Sequence, residues 1–566
     1  MSDLLFPVPA SIKLIHLLRW DCNGGQAEAL CYFRSLPCDG SAGLLGIGEQ
    51  LEDNPMARKK TPTLNHVRTL FVDDAPLAET RGLRRTVHQL TKDPAEPVLH
   101  CDRPWEGGKI CGYGSVWRQD GDGPLRMWYL ARPGNPNDRR YHTSICLATS
   151  IDGVHWEKPA LHRYDYWGNS ANNICILPHW KNANATGRFD TVSILDDAEE
   201  RNLQRRYKMM SFQYAVPDKW KPNHAFPSGY YVAFSPDGLH WYERPRPVFR
   251  LDEGVGDCMT LMHDTRRGRY TAFVKILSNE YGMQPRLRRP DGNASRDIWD
   301  GKRWIRATGE NPLRRMRGIS HSSDFIHWTP PRFILPTDDL DPVDVQFYNN
   351  TGFEYESMYL GFVYVYHVDT TGTIDMQLIW SRDGETWNRA FDRTAILPSG
   401  AGESDWDMGC HAMLTNPPIR MGDELWFYYG SSWTRHSGGK LRVHRGSGGA
   451  AIGRAKLRID GFVSLDAGSR MGRAVTTPLK LGATALAVNA DAGSGEIRAQ
   501  ILRRGRPLPG FDLQSCQPLK LDRTRHLFRF EGGKIPKISE PVRIEFALKN
   551  ASIYSFWSEP QPRSNL

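Results

Sequence analysis

The sequence predicts an all-β protein: a five-bladed β-propeller followed by a C-terminal β-sandwich. Three observations carry that prediction. A tight-turn motif recurs along the chain, paired strand-like segments fill the intervals between its copies, and the composition favours turns and aromatic packing. The 566 residues include 52 Gly, 38 Pro, 18 Trp and 21 Tyr, and aromatics make up 11%. Charged residues at 24% and hydrophobic ones at 40% are the balance of a globular chain, not a disordered one. No apolar run reaches 18 residues, so no membrane-spanning helix and no membrane partner is expected.

Residues 1–62 read as an N-terminal extension. They lack sustained periodicity, and the short run SIKLIHLL has neither a basic segment before it nor a small-residue cleavage site after it. With no signal peptide recognised, a cytoplasmic location is expected. Met56 is followed by ARKKTP, and coherent strand-like sequence begins at Arg68. The expectation is that translation starts at Met56.

The repeat organises residues 63–470. Its copies are Ser150-Ile-Asp152-Gly-Val-His-Trp156, Ser235-Pro-Asp237-Gly-Leu-His-Trp241, Ser322-Ser-Asp324-Phe-Ile-His-Trp328 and Ser381-Arg-Asp383-Gly-Glu-Thr-Trp387, with a weaker fifth around Asp460-Gly461. Successive Asp residues are 85, 87, 59 and 77 positions apart, the length of a four-stranded blade. Asp-Gly supplies a turn with positive φ at Gly, and the Asp and Ser oxygens accept the turn's backbone N–H groups. Each copy therefore reads as the hairpin between a third and a fourth strand. Five strand pairs fall between the copies: 114–117 with 126–129, 191–195 with 207–212, 259–263 with 270–274, 345–353 with 358–366, and 408–414 with 424–429. Long Pro-containing loops at 217–228 and 276–303 are expected to roof one face. Residues 467–478 read as a linker. Short strands with regular turns over 476–560 predict the β-sandwich.

The formal charge is +9, and residues 476–566 hold 14 Lys and Arg against 8 Asp and Glu. Two thirds of the excess therefore belongs to the predicted sandwich. No basic helix or dense basic run appears, so a nucleic-acid partner is not expected. None of the ten cysteines forms a CxxC pair, and they read as buried free thiols of a reducing compartment. No EF-hand or HExxH motif occurs, so neither a metal nor another cofactor is expected.

Several stretches resemble one enzyme group. They are Leu70-Phe-Val-Asp73-Asp74, Pro104-Trp105-Glu106-Gly107, the Ser-x-Asp-Gly-x-x-Trp turns, Trp406-Asp407 ahead of Pro417-Pro418, and Leu457-Arg458-x-Asp460-Gly461-Phe462. The stretches 488–491 and 548–556 fit the same group. Together they resemble the five-bladed-propeller glycoside hydrolases of families 32, 43, 62 and 68, and a bacterial family-32-like group above all. The resemblance spans roughly Arg68 to Trp557. It implies a glycosidase whose partner is an oligo- or polysaccharide. The chain departs from invertases and levanases at all three of their acidic motifs. Arg188-Phe-Asp190 stands where Arg-Asp-Pro would lie, Asp257-Cys258 where Glu-Cys would lie, and no nucleophile motif of the first blade is present. Fructan is therefore not the expected substrate.

Propeller geometry nominates the site. Innermost strands start at the active face, which offers Glu106 or Tyr113, Asp190, Asp257, Asp344 and Asp407. Second strands end there, which offers Arg132, Gln213, Lys275, His367 and the stretch 431–436. Carboxyl groups around one axis repel, so some must be protonated or paired with cations. This expectation makes Asp190, Asp257, Asp344 and Glu106 the catalytic set, with Asp257 as proton donor and Asp344 or Glu106 as base or nucleophile. Asp407, His367, Lys275, Arg132, Gln213, Tyr113, Trp105 and Trp406 would bind the sugar. A sugar-binding propeller without catalysis is the alternative.

Overall fold

A computed structural model describes residues 61–133, 143–166, 168–177, 188–214, 227–251, 255–277, 297–299, 304–306, 315–342, 344–368, 370–400, 405–414, 417–432, 434–436 and 450–560. The expectation for residues 1–60, the start site included, lies outside them. So do most of the two predicted roofing loops. The described chain is nearly all β. Its helical turns are two three-residue 3-10 segments, Pro104–Glu106 and Leu203–Arg205. Among the described residues no helix is long and apolar enough to cross a membrane.

Five antiparallel sheets follow one another along the chain. The first orders Gly108–Arg118, Leu125–Pro133, Ser144–Ser150 and Ile174–Ile176. The second is built on Arg188–Asp196, Tyr207–Tyr214 and Gly229–Ser235, and the third on Val255–Asp264, Arg269–Leu277 and Arg315–Ser322. The fourth is built on Val345–Asn350, Met358–His367 and Ile374–Ser381. The fifth takes Ala412–Met413, Glu424–Ser431 and Ala451–Arg458, and its outer strand is Thr91–Lys92 from far earlier in the chain.

The repeated turns form as the sequence dictates. In the first, Ser150 Oγ accepts Gly153 N–H at 2.8 Å, and Asp152 Oδ1 accepts Val154 and His155 N–H, both at 2.8 Å. The same pattern recurs at Asp237, Asp324 and Asp383. Gly153, Gly238 and Gly384 take φ of 75°, 76° and 65°; the third copy puts Phe325 there at 66°. A non-glycine residue pays for that conformation in strain, and Phe325 offsets it by burying its ring completely, 5.8 Å from Phe234.

Each turn packs on the preceding sheet. Gly238 abuts Trp128, Phe325 meets Phe234, Trp387 stands 5.2 Å from Phe273, and Trp156 stands 5.4 Å from Tyr428. These contacts run from the second, third and fourth sheets to their predecessors and from the first back to the fifth. The fifth repeat is not such a turn. Asp460 is fully buried, and its carboxylate accepts from Arg68, Tyr355, Asn489 and Ser555. Its neighbours in sequence cross into the remaining sheets, so the side chain serves as a junction.

Two further sheets share a separate apolar core. One orders Asp522–Leu527, Ala485–Asp491, Ala551–Glu559, Val463–Ala467 and Arg84–Val87, with Thr69–Leu70 also paired to Ala551–Glu559. The other orders Leu77–Arg81, Gly472–Thr476, Arg543–Lys549, Glu496–Arg503 and Arg506–Pro507. Leu486, Val488 and Phe556 of one pack with Ile501, Ile544 and Phe546 of the other. Strands at 69–87 and 463–476 thus join this core, which the sequence reading confined to 476–560. The cause is sequence distance: pairing across some 400 residues leaves no local signal.

Candidate active site

The first strands of four of the five sheets break register where they border one cavity. In the first sheet Cys111 pairs with Leu130 and Gly114 with Tyr129, which leaves Gly112 and Tyr113 over. In the second, Asp190 is left over between Phe189 and Thr191. In the third, Gly256, Asp257 and Cys258 lie opposite Lys275 alone. In the fourth, Tyr348 is left over between Phe347 and Asn349. A bulge kinks its strand and re-aims the surplus side chain. These four re-aim Tyr113, Asp190, Asp257 and Tyr348 into one cavity of about 590 Å³, to which all five sheets contribute.

Close backbone approach closes the wall between the first and fifth sheets. A Cβ on Gly112 would overlap Gly430 and come within 2.8 Å of the Ala412 carbonyl oxygen. Glycine is the residue that fits there.

Asp257 is the centre of the polar network. Lys275 Nζ forms an ion pair with its Oδ1, and Tyr214 Oη donates to Oδ2 at 2.8 Å. Burial pushes the Asp257 carboxyl up, but the Lys275 charge and hydrogen bonds from Lys275, Tyr214 and Asp190 outweigh it and hold the group well below the usual carboxylate range.

A buried guanidinium fixes this geometry from behind. Arg317 is fully buried. Its Nη1 donates to Tyr348 O at 3.3 Å and its Nη2 to Asn349 Oδ1 at 2.8 Å, while Nε donates to Asn350 Oδ1 at 2.7 Å; both Nη1 and Nη2 reach Cys258 O at 3.4 Å. It therefore ties the bulge of the third sheet to that of the fourth. Burial pushes its pKa down to about 10, so it stays charged at neutral pH.

Two histidines face the same space. His411 is buried; its Nδ1 contacts Ser431 Oγ at 3.0 Å, and among the described residues its Nε2 has no hydrogen-bond partner. Nor, among the described residues, has the buried Nδ1 of His436. Burial and neighbouring cations push His411 down to about 4 and His436 to about 3, so both are neutral at physiological pH.

Of the residues nominated from sequence, Asp190, Asp257, Lys275 and Tyr113 line this cavity, as do Ser431, Ser432 and Thr434 to His436 of the stretch 431–436; Cys410, His411 and Ala412, which the sequence reading did not nominate, line it beside them. The others, Arg132 apart, are placed elsewhere. Glu106 is buried under the first sheet, where it accepts Asp102 and Arg103 N–H, Tyr129 Oη at 2.6 Å and Lys158 Nζ at 2.7 Å. Trp105 donates to Asn173 in the same packing. Asp344 accepts from Thr370 N and Oγ1, His367 pairs with Asp375 at 2.8 Å, and Asp407 is held by Lys92 and Tyr429. Trp406 stacks on Tyr429 and donates to Ala95 O. Gln213 is buried against Ser211 and Glu243, because strand alternation gives the cavity to its neighbour Tyr214. Arg132 pairs with Lys109 by its backbone, and its side chain lies outside the described residues.

Sequence reasoning missed Lys109, Tyr214, Arg315 and Tyr348, which also line the cavity. Tyr214 was one residue from a nominated position. Tyr348 could have been found only from the bulge, which has no sequence signature here. Among the described residues no group of three or more His, Cys, Asp or Glu side chains could hold a metal ion.

No protein-family model matches the chain, and no curated protein does. Solved structures do resemble it, glycoside hydrolases among them. A fructofuranosidase from Schwanniomyces occidentalis, complexed with fructosylnystose, is 10% identical over 83% of this chain and 98% of that chain, with a TM-score of 0.39. A family-32 β-fructofuranosidase from Bombyx mori is 10% identical over 83% of this chain and 96% of that chain, with a TM-score of 0.38. An N-acetylgalactosamine deacetylase from F. plautii, in complex with blood group B trisaccharide, is 14% identical over 68% of this chain and 97% of that chain, with a TM-score of 0.39.

Proposed function

We propose that this protein is a glycoside hydrolase whose site is the cavity around Asp257. In this reading the five successive sheets are the blades of a β-propeller. The two further sheets are an accessory β-sandwich built from residues 63–87 and 463–560. The single observation that supports the site is the coincidence of four strand bulges with the residues that line one cavity. Bulges at one level of separate sheets are a recurrent way to aim functional side chains.

The chemistry follows from the carboxyl pair. The proton between Asp190 and Asp257 passes to the leaving glycosidic oxygen, and water adds its hydroxyl to the anomeric carbon. His411 and His436, neutral and weakly basic, are positioned to take the water's second proton and to pass it back to the carboxyl pair, which restores the starting state. In this reading Lys275 keeps Asp257 anionic, and the proton donor is Asp190 in place of the Asp257 expected from sequence. The scheme differs from two separated carboxylates, because a hydrogen-bonded pair is closer than the roughly 5 Å of a retaining pair. That closeness favours a second reading, a sugar-binding site without catalysis. Furanosidic and acidic sugars are both within the proposal.

The test is a screen of aryl-glycosides and plant and algal oligosaccharides on the wild type, Asp190→Asn and Asp257→Asn. Hydrolysis lost in both variants is the expected result. Activity that survives both substitutions refutes the site, and inactivity of the wild type across the panel leaves the binding reading in its place.

A further inference from the structure

We propose that the sugar taken by this cavity is anionic, its carboxylate or sulfate group seated against Arg315 and Lys109. The proposal rests on the reading of the cavity as a sugar site and names its substrate class.

Charge balance is the first argument. Among the described residues Lys109, Lys275, Arg315 and Arg435 line the cavity, against the two carboxyl groups of Asp190 and Asp257. Lys275 is committed to Asp257. Among the described residues Lys109, Arg315 and Arg435 have no carboxylate partner. Cations without a carboxylate partner around a cavity attract an anion, half-buried Arg315 more than exposed Lys109 and Arg435, which solvent screens. They also oppose the positive charge that develops at the anomeric carbon, unless the substrate brings a negative charge of its own.

Geometry is the second argument. Arg315 stands 5.8 Å from the Tyr348 ring and 5.3 Å from the Tyr366 ring, and its Nη1 donates to Gln346 Oε1 at 2.8 Å. His436 lies 4.7 and 4.8 Å from the same two rings. Lys275 Nζ is 4.3 Å from Tyr348. One tyrosine wall therefore positions the Arg315 guanidinium beside the Lys275–Asp257 pair. Two ring nitrogens, His411 Nε2 and His436 Nδ1, are buried there without hydrogen-bond partners among the described residues, as expected of a polar site awaiting a ligand. The depressed pKa of His436, to which burial contributes most and Arg315, Lys275 and Lys109 contribute further, reports the same positive field.

The experiment is calorimetric titration of the full chain with matched pairs: methyl glucuronide with methyl glucoside, methyl galacturonide with methyl galactoside, and the 6-sulfates of both hexoses. The expected result is that at least one anionic sugar binds about tenfold or more tighter than its neutral counterpart, the effect of one new ion pair in a partly screened site. The uronate and sulfate arms identify which anion is preferred. Arg315→Gln should remove most of that preference, and Lys109→Gln, at an exposed position, should reduce it without risk to folding. Raising NaCl from 50 to 500 mM should narrow it. Equal or tighter binding of the neutral sugars, no binding of any anionic sugar, or a preference untouched in both variants overturns the proposal. Binding is read without turnover. Selective anion binding with no hydrolysis therefore sinks the glycosidase reading alone, and hydrolysis of neutral sugars sinks this one alone.

Discussion

Replacing Arg317 by Met removes the buried guanidinium that joins the third and fourth sheets behind the cavity. Two opposing effects set the outcome. Keeping the charge buried is costly: a fall in pKa from 12.5 to about 10 corresponds to about 3 kcal/mol. Met relieves that cost. Against it, the Tyr348 carbonyl and the Asn349 and Asn350 side-chain oxygens lose their donor in a buried setting. Each stranded acceptor costs about 1–3 kcal/mol. The Cys258 carbonyl loses less, because Tyr230 Oη still donates to it at 3.1 Å. The three acceptors together cost about 3–9 kcal/mol, which after the relieved charge leaves a net loss centred on about 3 kcal/mol. Urea denaturation followed by tryptophan fluorescence measures it. Arg317→Lys should recover only part of the loss, because one ammonium cannot span acceptors on both strands. Any sugar binding should weaken in parallel, since the bulges carrying Asp257 and Tyr348 lose their common anchor. A Met variant within 1 kcal/mol of wild type, with unchanged ligand affinity, would refute the bracing role.

Three further outcomes are expected. Asp257→Asn should abolish activity and cost about 3 kcal/mol by stranding the buried Lys275 ammonium, while the double variant Asp257→Asn/Lys275→Met regains stability but no activity in a denaturation and turnover comparison. Gly112→Ala should lower the melting temperature by several degrees, since its Cβ meets the Gly430 backbone rather than a movable side chain; an unchanged melting curve would contradict that packing. Acid should unfold the protein between about pH 4 and pH 2. Burial pushes the turn carboxyls Asp237 and Asp383 up, but backbone N–H donors and neighbouring side chains outweigh it and bring both down to about 2. The folded carboxylates therefore release protons that the unfolded chain takes up, so stability present above pH 4 is lost on acidification. Asp237→Asn should flatten that slope in pH-dependent urea melts.

Four of the repeated turns were legible because they are local: a Ser and an Asp within seven residues supply every acceptor the turn needs. The strand pairs between them were legible for the same reason, as hairpins close over short distances. The sheets that combine residues 69–87 with 463–559 were not, since nothing near Leu70 or Leu77 names a partner some 400 residues away. The candidate site divides along the same line. Asp190, Asp257, Lys275 and Tyr113 could be nominated because a strand start or end is a local property. Glu106 and Asp344 had the same local credentials, and only the folded chain shows them tied to Lys158 and Thr370 instead. Gln213 and Tyr214 differ by one residue, and the register of the sheet, not the sequence, decides which side chain meets the cavity. The amino-acid sequence alone determined the strands and turns, because short-range hydrogen bonds and alternation dictate them. The tertiary structure alone decided which charges converge, because that depends on bulges, and on a buried arginine that holds two of them from different sheets at one level.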